Sequence, residues 1–219
     1  MNEREKISAS IIDAGLVAIV RVHHPEIALP IAKALVAGGI RAVELTMTIP
    51  NALDAIRTID QELGNKILLG VGTVIDDDTC KAAIDAGAKY IISPITKPSL
   101  VENAHAMDRP VMLGAYTPSE AQAAYEAGSD FIKIFPADSL GPNYIKALLA
   151  PLTHLKIIPT GGVNLDTMES FLAAGSTALG IGSSLLKKNI INSENWSELE
   201  SLSRQHVDKL AKLKSRSLA

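Results

Sequence analysis

Runs almost continuous in Val, Ile and Leu alternate along the chain with Ala-rich stretches of helical period. Four of these runs follow one repeated junction. "AGGIRAVEL", "AGAKYIIS", "AGSDFIKI" and "AGSTALGI" begin at Ala37, Ala86, Ala127 and Ala174. Each sets a glycine (Gly38, Gly87, Gly128, Gly175) just after a helical stretch and then opens into β-rich residues, which predicts a glycine helix cap followed by a strand. The glycines recur roughly 40–50 residues apart, which leaves room for two strand–helix units each. The intervening strands are "LVAIVRV" (16–22), "ILLGVGT" (67–73), "PVMLGAY" (110–116) and "LKIIPT" (155–160). Continuous apolar character is what parallel strands need when helices cover the sheet.

Eight such units in about 200 residues lie at the small end of the (β/α)8 range. The pattern therefore predicts an α/β chain, residues 1–219 forming a single (β/α)8 TIM barrel. An extra helix precedes the first strand, roughly Glu3 to Ala14. Another follows the last, with Trp196, Leu199, Leu202, Val207, Leu210 and Leu213 at helical spacing. A doubly wound sheet would carry a dinucleotide fingerprint in its first turn, and "RVHHPE" is not one. The basic end "KLAKLKSRS" reads as a solvated, frayed terminus.

Period-2 alternation sorts the side chains of each strand. In strand six Phe131, Lys133 and Phe135 share one face. In strand two Ala42, Glu44, Thr46 and Thr48 share a face opposite Val43, Leu45 and Met47. The apolar face must meet helices, so the polar set points into the barrel. Strand three ends at Thr73 and strand one at Arg21. Prolines 25, 50, 94, 118 and 136 each fall shortly after an apolar run, at the strand ends where barrel active sites lie. A lysine, a carboxylate, an arginine and several hydroxyls thus converge on one mouth. Lys133 and Glu44 read either as a plain buried ion pair or as a site, because buried lysine is rare unless paired. Arg21 reads as an anion contact or as a side chain snorkelling at a strand end.

Two glycine turns tip that balance. "IPTGGVN" (158–164) ends strand seven and "GIGSS" (180–184) ends strand eight. Each leads toward a helix, and backbone amides in such turns cradle phosphate. The acidic "DDDT" (Asp76 to Thr79) reads as the start of the helix after strand three, where the dipole favours carboxylates. His23, His24, His105, His154 and His206 lack ligand spacing, so no metal is expected.

Composition narrows the class further. The 219 residues are 47% hydrophobic and 21% charged, with a net charge of −3. Neither a basic nucleic-acid footprint nor a polybasic membrane signal is present. Cys80 is the lone cysteine, which excludes an internal disulfide and fits a reducing compartment. "MNEREKISAS" lacks the apolar core of a signal peptide, so a cytoplasmic, soluble protein is expected.

A lysine among apolar neighbours can act as the free amine, attack a ketone and form a Schiff base, whose iminium accepts electrons from neighbouring carbons. Glu44 is the candidate general acid and base. A phosphate cradle at the same mouth points to a phosphorylated keto-sugar acid as substrate.

At this level the residues resemble a known family. "GGIRAVELT", "GVGTV", Ser93–Pro94, "TPSE", "FIKIFPA", "PTGGVN" and "GIGSSL", in that order, are similar to the 2-keto-3-deoxy-6-phosphogluconate (KDPG) aldolases. That class I family includes 4-hydroxy-2-oxoglutarate (KHG) aldolase. The resemblance runs from about Val17 to Leu186 and implies reversible cleavage to pyruvate and D-glyceraldehyde 3-phosphate. It implies that Lys133 forms the Schiff base and Glu44 relays protons. Thr73 would hold the pyruvate carboxylate, with Pro94 and Phe135 lining the pocket. Thr160, Gly161, Gly162, Gly182, Ser183 and Ser184 would surround the phosphate. No cofactor is implied, and a homotrimer is. The best-known members carry arginine where Thr48 stands, and Arg21 is the candidate replacement. The alternatives are the C4-epimeric galactonate substrate, the unphosphorylated KHG and a catalytically silent phosphate-ligand barrel.

Overall fold

The eight apolar runs pair side by side, all in parallel, in a computed structural model that describes residues 1–216. The strands are β1 (Leu16–Val20), β2 (Ala42–Thr46), β3 (Leu68–Gly72), β4 (Tyr90–Ile92), β5 (Val111–Ala115), β6 (Phe131–Ile134), β7 (Ile157–Pro159) and β8 (Leu179–Ile181). They pair in the order β7-β6-β5-β4-β3-β2-β1-β8. A parallel bridge between Thr160 and Gly180 joins the two ends and closes the barrel. The three residues after Arg216 lie outside the described residues.

Helices alternate with the strands: α1 (Glu3–Ala14), α2 (Ala28–Ala37), α3 (Ala52–Leu63), α4 (Asp77–Asp85), α5 (Ser99–His105) and α6 (Pro118–Glu126). The series continues with α7 (Gly141–Leu149), α8 (Met168–Ala173), α9 (Lys188–Asn192) and α10 (Trp196–Arg216). No helix among the described residues is long and apolar enough to cross a membrane.

Local chemistry sets several boundaries. Asn2 and Glu5 form a capping box on α1, and Thr117 and Glu120 form one on α6, where Pro118 takes the first helical position. Asp76 caps α4 by accepting from the Thr79 amide at 2.8 Å, so the acidic triplet starts a helix as its sequence suggests. Gly87, Gly128 and Gly175 follow their helices in left-handed conformation, at φ of 119°, 94° and 101°. At the first junction the neighbouring Gly39 takes that role with φ 92°, while Gly38 stays right-handed. Gly38 instead lies against Ser203 and Glu200 of α10, where a side chain would collide.

The barrel holds two apolar cores. The larger lies between strands and surrounding helices. The smaller fills the interior at the N-terminal end, where Val17, Ala42, Tyr90, Met112, Phe131 and Ile158 meet Ile7 and Ile11 of α1. Helix α1 is thus a plug. The basic C-terminal stretch corrects one expectation. It stays helical to Arg216, and Lys214 Nζ donates to the carbonyls of Ile12 (3.3 Å) and Asp13 (2.9 Å) at the end of α1. An ammonium on the free carbonyls of a helix C-terminus is favourable, which ties this end down rather than letting it fray.

Candidate active site

Lys133 and Glu44 stand on opposite walls of the barrel. Strand register aligns Lys133 with Gly114 and Ile158, and Glu44 with Ile19 and Gly70. The inward alternation read from the sequence places both side chains in the interior. There they meet, Nζ to Oε1 at 3.6 Å, with only 6% and 2% of their side chains exposed. That separation is an ion-pair distance but too long for a hydrogen bond, and Glu44 Oε1 has no hydrogen-bond partner. The pair is held close without being locked.

Glycines on the neighbouring strands make this meeting possible. A methyl group at Gly72 would fall directly on the Glu44 carboxylate. One at Gly114 would strike the backbone of Pro94 and Ile95, which crosses over β5 beside Lys133. That crossing is tied down by the Gly114 amide donating to Ile95 O (3.2 Å) and by Thr96 Oγ1 donating to Gly114 O (2.8 Å). Phe135 follows Lys133 on the same face, with the ammonium 5.3 Å from its ring centroid.

The other predicted residues take the following places. Thr73, at the end of β3, is partly buried with φ 61°, a left-handed conformation costly for a β-branched residue. Strain of this kind clusters at functional sites. Thr46 Oγ1 lies 2.8 Å from Thr48 Oγ1 and donates to Val20 O at 3.3 Å, so Thr48 belongs to the rim and is exposed. Arg21 is exposed at the end of β1.

A cavity of about 330 Å³ opens beside Phe135 and is lined by Arg21, Thr160, Gly161, Gly162, Gly182, Ser183 and Ser184. All six residues predicted to surround a phosphate therefore share one wall system. Gly161 and Gly162 adopt φ of 106° and 70°, which turns the backbone sharply around Asp138. None of the amides of Gly161, Gly162, Ser183 or Ser184 donates to another backbone carbonyl among the described residues. Ser184 Oγ donates to Val163 O at 2.6 Å and braces one turn against the other. The helices behind them differ from expectation. Helix α8 starts only at Met168 and α9 only at Lys188, and both are short. That side of the cavity is consequently built from turn amides rather than from a helix N-terminus.

Lys188 also lines this cavity, and sequence reading missed it. The signal was available: a Lys187–Lys188 pair directly follows the "GIGSSLL" turn. Arg21 and Lys188 give the pocket two cations. Lys133, Glu44, Thr48, Thr73 and Pro94 are not among its lining residues, and Phe135 is the link between the cavity and the buried pair.

A (β/α)8 barrel whose mouth holds a buried amine–carboxylate pair and a cavity lined by turn amides has the architecture of a barrel enzyme. The chain belongs to the KDPG and KHG aldolase family, whose model matches residues 7–202. It is 32% identical over 200 residues to the 2-dehydro-3-deoxy-phosphogluconate aldolase of Pseudomonas aeruginosa, covering 91% of this chain and 90% of that protein. A probable 2-dehydro-3-deoxy-6-phosphogalactonate aldolase of Rhizobium meliloti is 33% identical over 184 residues, covering 84% and 87%. Among solved structures, the KDPG aldolase of Legionella pneumophila has pyruvate captured as a covalent carbinolamine. It superposes with a TM-score of 0.83 at 29% identity, covering 90% of this chain and 96% of that one. Relatives of this kind are aldolases, a class of lyases.

Proposed function

We propose that this chain reversibly cleaves 2-keto-3-deoxy-6-phosphogluconate to pyruvate and D-glyceraldehyde 3-phosphate through a Schiff base on Lys133. The observation that carries the reading is the buried Lys133–Glu44 pair at 3.6 Å, opening beside the two-cation, amide-lined cavity. Burying two full charges is costly, and passing the lysine proton to Glu44 leaves two neutral groups. That transfer supplies the nucleophilic amine.

Nζ then attacks the C2 ketone to give a carbinolamine. Glu44 returns the proton to the departing hydroxyl, water leaves and the iminium forms. The C4 hydroxyl passes its proton to Glu44, the C3–C4 bond breaks, and its electron pair flows to the iminium nitrogen to give an enamine, which Glu44 later protonates at C3. The aldehyde product departs. Protonation at C3 and hydrolysis release pyruvate and restore the amine. Pro94 and Phe135 wall the pyruvate end, and the Thr73 hydroxyl binds its carboxylate. Thr160, Gly161, Gly162, Gly182, Ser183 and Ser184 donate to the phosphate. Arg21 and Thr48 contact anionic and hydroxyl groups at the rim, with Arg21 standing in for a carboxylate-binding arginine at Thr48. The reading extends to KHG as a second substrate, to a cytosolic location and to a homotrimer, which light scattering on the purified protein tests.

Borohydride with pyruvate tests the chemistry directly. A reduced pyruvyl adduct on Lys133 is expected by mass spectrometry, and its absence from folded protein refutes the Schiff base. Steady-state rates on the gluconate and galactonate epimers then assign the C4 preference, with the gluconate expected to be faster. Arg21→Ala should raise the KM for pyruvate in the condensation direction. An unchanged value removes its carboxylate role.

A further inference from the structure

Tyr90 is the largest polar side chain inside the barrel, and neither Lys133 nor the phosphate cradle uses it. Its ring is 1% exposed and its hydroxyl makes no hydrogen bond to protein. A buried hydroxyl without a partner is costly, and native structures keep few of them. Glu44 Oε1 is the other such atom in this region.

The register explains why the two belong together. Glu44 on β2 aligns with Gly70 on β3, and Gly70 aligns with Tyr90 on β4. Gly70 has no side chain, so the Tyr90 ring lies across β3. A methyl group at Gly70 would land on its Cε2 and Cζ atoms. The hydroxyl sits beyond Cζ, on the side where Glu44 stands. Burial, and after it the negative charge of Glu44, push the Tyr90 phenol well above its ordinary range, so it remains a proton donor at any working pH.

We propose that Tyr90 is a positioning residue for the aldolase reaction, its hydroxyl donating to the Glu44 carboxylate and fixing the orientation from which Glu44 moves protons. Glu44 can turn to meet it, because Oε1 has no hydrogen bond to break. Among the described residues the charged and titratable groups facing Glu44 are few. Lys133 approaches from β6 and Tyr90 from β4, while Arg21 stands further out at the rim of β1. Helix α1 presents Ile7 and Ile11 from below, and β3 presents glycines. Of these groups, Lys133 lies within ion-pair distance of the carboxylate, at 3.6 Å.

The inference rests on the Schiff-base reading, and one variant separates the two. Tyr90→Phe keeps the ring and removes the hydroxyl. The borohydride adduct on Lys133 should still form in it, since the nucleophile is untouched. Turnover on KDPG should fall about tenfold, the loss expected for one hydrogen bond to a charged group, with KM within about twofold. The acid limb of kcat against pH should move to higher pH, because a carboxylate that loses a donor protonates more readily. Tyr90→Leu, which also removes the ring, should lower the melting temperature further without a larger change in the acid limb. If Tyr90→Phe leaves kcat and the acid limb as in the parent, or if only Tyr90→Leu impairs turnover, the ring merely packs and the inference fails. If no adduct forms in the parent protein, the Schiff-base reading fails instead.

Discussion

The two ends of this barrel are built from the same strands by opposite rules. At the N-terminal end the inward residues are large and apolar, and Ile7 and Ile11 of α1 close the interior. Arg4 and Asp130, 3.7 Å apart, hold that plug with His105, which lies 2.9 Å from the same aspartate. At the C-terminal end the inward positions are glycine, threonine, lysine and glutamate, with a left-handed threonine and a cavity of about 330 Å³. One end contributes stability through buried area, and the other gives some up for chemistry. Packed side chains can be exchanged for others of like volume, whereas a buried amine–carboxylate pair and a wall of unpaired turn amides cannot.

The comparison can be broken most severely at Lys133. Lys133→Met should abolish turnover and borohydride trapping, because Lys188, the other amine at the mouth, is exposed and lies outside the buried pair. It also leaves Glu44 buried without its partner, so urea unfolding should show a stability loss of about 3–5 kcal/mol. A Lys133→Met protein that still turns over would dissolve the distinction altogether.

A matched glycine pair comes next. Gly72→Ala drives Glu44 from its place, so kcat should drop about a hundredfold or more, the scale of losing a general acid–base group, with a modest change in melting temperature. Gly70→Ala presses on the Tyr90 ring instead, so it should cost about 1–3 kcal/mol of stability and, by shifting the Tyr90 hydroxyl, lower kcat no more than Tyr90→Phe does. If both substitutions act on turnover alone, the two layers are not functionally distinct.

Ile11→Ala empties part of the plug. A loss of about 2–5 kcal/mol in urea unfolding is expected, with kcat/KM unchanged at a temperature where the protein stays folded. A large loss of kcat/KM there would mean that the bottom positions the mouth. The smallest effect belongs to Lys188. Lys188→Ala should raise KM for the phosphorylated substrate about three- to tenfold and leave KM for KHG unaltered, because only the phosphate meets this cation. Equal effects on both substrates would remove it from the cradle.

Much of this was legible in the chain itself. Each strand is apolar on the face toward the helices, so the odd polar members, Lys133, Glu44 and Thr46, had only one way to point. The strand ends carry their own punctuation in proline and glycine. Lys188 escaped because the Lys187–Lys188 pair after the turn, the only sign of it, also fits ordinary solvated surface. Tyr90 escaped for a different reason. A tyrosine within "KYIIS" is an ordinary strand residue until Gly70, on the neighbouring strand, lets its ring lie across the interior. The basic tail reads as frayed because a helix cap supplied by a distant segment leaves no local trace.

By itself, then, the sequence determined the alternation of strands and helices, the inward side of each strand and the order of the motifs, since these follow from period, propensity and turn chemistry within a few residues. Only the tertiary structure decided that Lys133 and Glu44 meet at 3.6 Å, that Gly72 makes the space for it and that Arg21 and Lys188 face one cavity. Those facts depend on how the barrel closes. Closure brings together residues far apart in the chain at distances that no local rule contains.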